Sequence, residues 1–573
     1  MVKFSWLYGL VALGVLLAAC APSGAQGNPS SAAARASEVR TPKQLTLVVN
    51  NEPGNLISLM EGGGAGPSGV REAVQHHLAE YDDVGQVRPQ LALDLPSTAT
   101  GTWLVRSDGT MQTSYRLRPD VTWHDGTPLT AADFVFALAV HQDPALPINN
   151  PSVARQVTRI ETPDDHTLVV EWARPYPFAH AITEEDLGPL PAHILRQPYE
   201  NDKERFATLP FWKGEVVGTG PYRVIRWEPG TLLMLTAYEG FYGAKPKIDT
   251  LIYRIIPSHS TIVANLLAGA ADGIVLDALD YNEISLLRRE WESAGQKPTV
   301  VSLPRKFRFL GVQLRPDVVN PRDILDIRIR RGLLHAIDRQ AMADTLFEGQ
   351  TPLAETVFPP SDRRSDWVKD VVISHPNDSR RALALLAEGG WRPGPDGQIL
   401  NATGERVTFP IWVTGDPQGE QEMAIVSDSW RRIGIAAEQF VIPTAQQRDR
   451  TLRSSFPAFE VTSNPVTFTN ITLRFQSAQC PSEANRWTGN NRGCYQNPAM
   501  DRIIDGLYGA IEEPDQRRLY RDFAKLISDD LPGLPLFFKI DSAIFRGGLV
   551  GPRASGVDTP IGWNIHEWDW TVP

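Results

Sequence analysis

The sequence predicts a mixed α/β protein built as more than one lobe. Strand and helix signatures alternate along the chain without a short repeat, which favours mixed α/β lobes. The chain has 573 residues, too many for one simple core, and length alone points to two to four lobes. Apolar residues make up 42% and charged residues 21%, enough for large buried cores and ordinary for a globular chain.

The elements follow in order. Residues 45–50 read as a strand from their β-branched content. The loop 61–69 carries Gly64, Gly66 and Gly69 in a GxGxxG spacing. The strand ends well before these glycines, so a mobile loop is expected there and not a dinucleotide site. Residues 115–118 alternate as a strand. Trp123-His124-Asp125-Gly126 is a turn with Gly where a positive φ is expected. Asp125 is expected to bond backbone amides there, in preference to forming a catalytic pair with His124. Thr130 N-caps a helix over 131–138, and Asp133 completes a capping box. A strand is expected at 167–172, and 222–227 with 232–236 form a hairpin around Glu228-Pro229-Gly230. Residues 262–268 are helical and stop at Gly269. Residues 328–339 form an amphipathic helix with Ile329, Leu333 and Ile337 on one face. Another helix spans 379–386 and ends near Gly389-Gly390.

The N-terminus is a targeting segment. One lysine precedes an apolar run over 7–17, and Leu17-Ala18-Ala19-Cys20 follows. This reads as a secretion signal over 1–19, short for a membrane span, which needs about 20 apolar residues. A Cys straight after small residues resembles a bacterial lipobox, which implies that Cys20 is diacylated; a plain signal peptide with an accidental Cys is the other reading. Residues 20–40 are rich in Ala, Ser, Gly and Pro and read as a flexible tether. The chain has 3 Cys. With Cys20 carrying lipid, Cys480 and Cys494 remain. An exported protein meets an oxidising compartment, so a disulfide between them is expected, with two unpaired buried thiols as the alternative.

The formal charge is −11 with no basic block, which argues against nucleic acid and against electrostatic binding to anionic lipid. No HExxH, CxxC, GxxxxGK[ST] or GxSxG motif occurs. The 11 His are dispersed, and His76-His77 lacks metal-ligand spacing. An enzyme is therefore not expected, nor a cofactor or metal.

Seven blocks resemble the family 5 extracellular solute-binding proteins, the oligopeptide, dipeptide and nickel group. They are YRLRPDVTWHDGTPLTAADFVFAL (115–138), GTGPYRV (218–224), DIRIRRGLLHAIDR (326–339), RRALALLAEGGW (380–391), RIGIA (432–436), YQNPAMD (495–501) and LPGLPL (531–536). They occur in the family order and span nearly the whole mature chain. The resemblance implies a two-lobed periplasmic-binding-protein-like fold (type II, cluster C) with an additional small domain. Lobe I would comprise 41–75, 215–305 and 540–573, the extra domain 76–214, and lobe II 306–539. Such proteins close around a ligand by a hinge motion, and closure removes water so that buried polar contacts set specificity.

The resemblance also implies where a ligand would be held. Peptide binders of this family place an Asp in the second lobe against the peptide amine. Here Asn464-Pro465 stands where Asp-Pro is expected, and an Asn carries no charge. Glu52 matches a pocket-edge position. Arg474 is read either as a partner for a ligand carboxylate or phosphate, or as a residue solvating a helix. Asn470 is a further candidate. Trp487, Asn490 and Asn491, in WTGNNRGCY, would suit ring stacking and hydroxyl hydrogen bonding on a sugar, or form an Asn/Gly turn with Trp487 packed at its edge. The expected function is a monomeric receptor of an ABC importer in the cell envelope, held to the membrane at Cys20, capturing a peptide and delivering it to the permease and ATPase. An oligosaccharide or other polar solute is the alternative ligand. An exported hydrolase and a signalling receptor are the competing classes.

Overall fold

The computed structural model describes residues 42–57, 59, 69–148, 152–182 and 187–571. The secretion signal, Cys20, the tether, Gly64 and Gly66 lie outside these residues.

One ten-stranded sheet runs through the molecule. In chain order its strands are β1 (Gln44–Val49), β2 (Tyr222–Glu228), β3 (Leu232–Ala237), β4 (Thr250–Ile255), β5 (Gly273–Ile274), β6 (Thr299–Val312), β7 (Thr408–Thr414), β8 (Ala436–Ile442), β9 (Phe459–Pro465) and β10 (Gly533–Phe545). Their spatial order is β8-β7-β9-β6-β10-β5-β1-β4-β3-β2. The parallel pairs β1/β4, β1/β5, β7/β8 and β7/β9 connect through long crossovers, as parallel strands must.

Two long antiparallel strands, β6 and β10, hold the sheet's halves together. They pair from Thr299↔Phe545 to Gly311↔Gly533, with register shifts between Pro304 and Lys306 and between Arg308 and Phe309. At one end Val301, Leu303, Ala543 and Phe545 enter a first core. At the other, Leu310, Val312, Leu534, Leu536 and Phe537 enter a second. Lys306 sits at the crossing, its Nζ 2.7 Å from Asp277 Oδ2 and 3.5 Å from Asp541 Oδ2.

The first core gathers β1 to β4 and a four-stranded sheet of Trp103–Val105, Met111–Arg116, Thr167–Trp172 and Val157–Asp164, with the helix Ala131–His141 against it. Burying side chains such as Trp123, Phe134 and Trp172 contributes roughly 1.5–3 kcal/mol each. The second core packs the helices Ile327–Ala336 and Pro417–Arg432 on β6, β7 and β9. A third, under the helices Arg363–Val368, Pro498–Gly509 and Glu513–Asp530, lies on the opposite face of β6.

Local sequence explains most of these elements. Thr130 and Asp133 form the expected capping box, and the helix runs on to His141. Gly126 has φ +89°, and Asp125 Oδ1 accepts from Thr127 N at 3.0 Å. The other Asp125 oxygen meets His193 Nε2 at 2.7 Å, so no pair with His124 forms there. In GTGPYRV, a Cβ on Gly218 would stand 2.1 Å from Val74 O. Only glycine allows that approach, which lets Gly220 N donate to Val74 O at 2.9 Å.

The single helix expected over 328–339 is instead two. It ends at Ala336, Ile337 is extended, and Asp338 caps a second helix, Arg339–Phe347, by accepting from Ala341 N at 2.9 Å. Ile329, Leu333 and Ile337 are buried as the pattern requires. Among the described residues no helix is long and apolar enough to cross a membrane.

Candidate binding site

A cavity of about 600 Å³ opens between the first and third cores, within the range of small-ligand sites. Tyr176, Phe178 and His180 line it from the first-core side. Arg363, Arg364, Trp367, Phe468 and Tyr520 line it from the third-core side, as does Val557 of the C-terminal segment, with Asp558 beside it. Phe178 and Phe468 meet across it with ring centroids 4.7 Å apart.

Each charged group has a local structural cause. Asp362 N-caps the helix Arg363–Val368, its Oδ1 accepting from Arg364 N at 2.8 Å. The same carboxylate takes Arg364 Nε at 2.9 Å and also Nη2. The Arg364 guanidinium lies over Phe358 at 5.0 Å and Tyr520 at 5.5 Å. Arg364 is therefore a compensated buried charge, the form in which burial is tolerated. Its neighbour Arg363 lies over Trp367 at 5.1 Å, and among the described residues its guanidinium makes no ion pair.

Asp558 is held by its neighbours. Arg305 Nε donates to Val557 O at 3.1 Å, and Thr559 Oγ1 donates to Asp82 O at 2.6 Å. The Asp558 carboxylate has no hydrogen bond and no ion pair among the described residues. Burial raises it above the ordinary carboxylate range, and Arg364 offsets part of that rise. Burial, then Arg363, lowers His180 to about 4, so the ring is neutral at pH 7. The cavity thus holds one matched pair, Asp362 with Arg364, and two charged groups of opposite sign, Asp558 and Arg363, that make no ion pair among the described residues.

None of the seven ligand residues expected from sequence lines this cavity. Glu52 Oε1 accepts from Trp227 Nε1 at 2.9 Å. Asn464, in β9 opposite Phe307, donates to Pro465 O at 3.1 Å. Asn470 donates to Thr467 Oγ1 at 2.9 Å. Arg474 solvates no helix: it is 6% exposed, lies 4.7 Å over Phe309 and donates to Asn490 O at 2.9 Å. Burial, reinforced by Arg492, lowers it to about 9. Asn491 commits its amide to Gln476 O, Tyr495 O and Tyr495 N. Trp487 has φ +61° and lies 5.6 Å from the Arg315 guanidinium. These last residues stitch the loop that Cys480 and Cys494 close as a disulfide, with Cα atoms 4.7 Å apart.

A cross-link over 14 positions contributes about 3 kcal/mol, chiefly by restricting the unfolded chain. Cys480→Ser with Cys494→Ser is expected to lower the unfolding free energy by about that amount in urea titrations. Alkylation of both thiols in the native, unreduced protein would contradict the bond.

The cavity residues were not legible because they come from six distant segments. Asp362 is recognisable as a helix cap; nothing in the sequence singles out Arg363 or Asp558.

A family model described as "Bacterial extracellular solute-binding proteins, family 5 Middle" matches residues 86–473. The chain is similar to the oligopeptide-binding protein AppA of Bacillus subtilis, 22% identical over 563 residues, covering 98% of this chain and 97% of AppA. The crystal structure of AppA in complex with a nonapeptide superposes with TM-score 0.67 and 18% identity, over 93% of this chain and 100% of AppA. NikZ from Campylobacter jejuni, in complex with Ni(L-His), superposes with TM-score 0.70 and 23% identity, over 92% of this chain and 100% of NikZ. The fold is accordingly the two-lobed α/β architecture of these proteins, and the chain belongs to the bacterial extracellular solute-binding proteins of family 5.

Proposed function

We propose that the chain is the extracytoplasmic receptor of an ABC importer, capturing a peptide between its lobes and delivering it to the permease and ATPase complex. In this reading it is a monomer anchored at Cys20. The carrying observation is the cavity of about 600 Å³ between separately packed cores that share two continuous strands. Strands shared by both sides form a hinge, and the register shifts over residues 304–309 are its natural pivot. Lobe I then comprises 41–75, 215–305 and 540–573, lobe II 306–539, and the extra domain 76–214.

A peptide is the ligand favoured here because AppA is named an oligopeptide-binding protein and its structure holds a nonapeptide. The cavity's opposite charges, which make no ion pair among the described residues, and its aromatic walls suit the same ligand. Thermal-shift screening of the purified mature chain against short peptides, oligosaccharides and nickel–histidine tests this. Peptides are expected to raise the melting temperature; saturation at 100 times Kd adds about 2.7 kcal/mol of stability. Stabilisation by an oligosaccharide or nickel–histidine, with none by any peptide, would replace the peptide reading.

A further inference from the structure

We propose that the cleft reads the two ends of a zwitterionic ligand, Asp558 taking the ammonium group and Arg363 the carboxylate. This rests on the peptide reading and names the residues that would make it specific. The position expected to seat the amine, Asn464, is an uncharged side chain outside the cavity. An ammonium group therefore needs a carboxylate from elsewhere in the chain.

Asp558 meets the requirements. It lines the cavity, and its carboxylate is not used by the described residues. The nearby Arg364 is held by Asp362 through its own cap, and its Nη2 also reaches Val466 O at 3.4 Å. A carboxylate with no hydrogen bond or ion pair in a closing cleft loses water, and the charges of Arg364 and Arg305 offset only part of that loss. A ligand ammonium supplies the missing partner, and the hydrogen bond formed is charge-assisted on both sides.

The other end is built for an anion. Arg363 has no acidic neighbour in contact among the described residues, and its planar fork matches a carboxylate in a bidentate arrangement. Thr467, Phe468 and Thr469 line the same cavity. They open the helix Phe468–Phe475, whose N-terminus carries no side-chain cap. First-turn amides without a cap add partial positive charge and free donors. Asp362 does not compete for Arg363, because its oxygens are taken by Arg364.

Isothermal titration with a peptide that binds, its N-acetylated form and its C-amidated form tests both ends. Acetylation is expected to weaken binding to the native protein about 30-fold or more, the scale for removing one partner of a desolvated charge pair. Amidation is expected to do the same. In Asp558→Asn the free and acetylated peptides should bind within about threefold of each other, and in Arg363→Gln the free and amidated peptides likewise. Among the described residues neither side chain has an ion-pair partner whose loss would unfold the chain, and melting curves without peptide check that. If a variant fails to fold, the blocked peptides on the native protein still decide. Equal affinity for free and blocked peptides, or discrimination that survives both substitutions, overturns this assignment and leaves the peptide reading standing. Failure of every free peptide to bind removes both.

Discussion

Acidification from pH 7 to pH 4 is expected to destabilise the protein by several kcal/mol, enough to unfold it. Burial lowers His77 to about 3 and His141 to about 4, and it lowers His124 and His180 to about 4 each against smaller opposing hydrogen bonds or charges. His76 is lowered as well, by burial and then by the neighbouring His566. His124 is fixed as the neutral ring: Nδ1 accepts from Gly218 N at 3.1 Å and Nε2 donates to Gly220 O at 3.0 Å. In the unfolded chain each of these rings titrates near 6.5.

The sign follows directly. Between 6.5 and 4 the unfolded state binds protons that the folded state refuses, so stability is full above 6.5 and falls as pH drops. A tenfold loss of proton affinity on folding corresponds to about 1.4 kcal/mol. Four rings whose proton affinity falls this far outweigh the opposing carboxylates: Asp541, which burial and Asp277 raise to about 6, and Asp133, Asp272 and Asp558, which burial raises, contribute stability that is lost as pH rises. Urea midpoints at pH 7, 5.5 and 4.5 measure the slope; equal midpoints would refute the account. His141→Phe keeps a ring at a site where burial alone depresses the imidazole, and it should flatten the slope by about one proton.

Glu422→Ala is expected to cost about 3–5 kcal/mol, the range for stranding one member of a buried ion pair. Glu422 is 0% and Arg308 8% exposed. Arg308, from β6, donates Nε to Glu422 Oε2 at 2.9 Å, and Nη2 reaches the same oxygen. Gln418 Nε2 donates to the other oxygen at 2.7 Å. The pair ties the helix Pro417–Arg432 to the shared strand, in the half of β6 that serves the second core. Arg308→Met with Glu422→Met should recover most of the loss, because apolar replacement of both partners avoids the stranded charge. Denaturant melts of the single and double variants decide; an equal loss in both would show that packing, and not charge, is at stake.

Much of the fold could be read because its signals are local. The Thr130–Asp133 capping box, the positive φ at Gly126 and the hairpin around Gly230 each need only a few adjacent residues. The expected 328–339 helix failed at Ile337 because its apolar period continues through the break. The signal that mattered was Asp338, a cap for the next helix. The site was less legible for a different reason. Asn490, Asn491 and Trp487 look like ligand residues by composition, and the structure shows Asn490 and Asn491 bonded within a disulfide loop, away from the cavity. The cavity wall is assembled by tertiary packing from segments hundreds of residues apart, and no local pattern marks them.

The strand β10 has a consequence for how the chain is made. It lies between β6 and β5, so it is the seam between the two halves of the sheet. β1, near the start of the described chain, is flanked by β4 and β5, which follow some 200 residues later. Until residue 545 is available, neither half has its full complement of neighbours, and the strands that do exist carry open edges. Non-local pairing of this kind makes folding slow. The seam of the sheet can therefore close only after the last long strand of the chain has emerged.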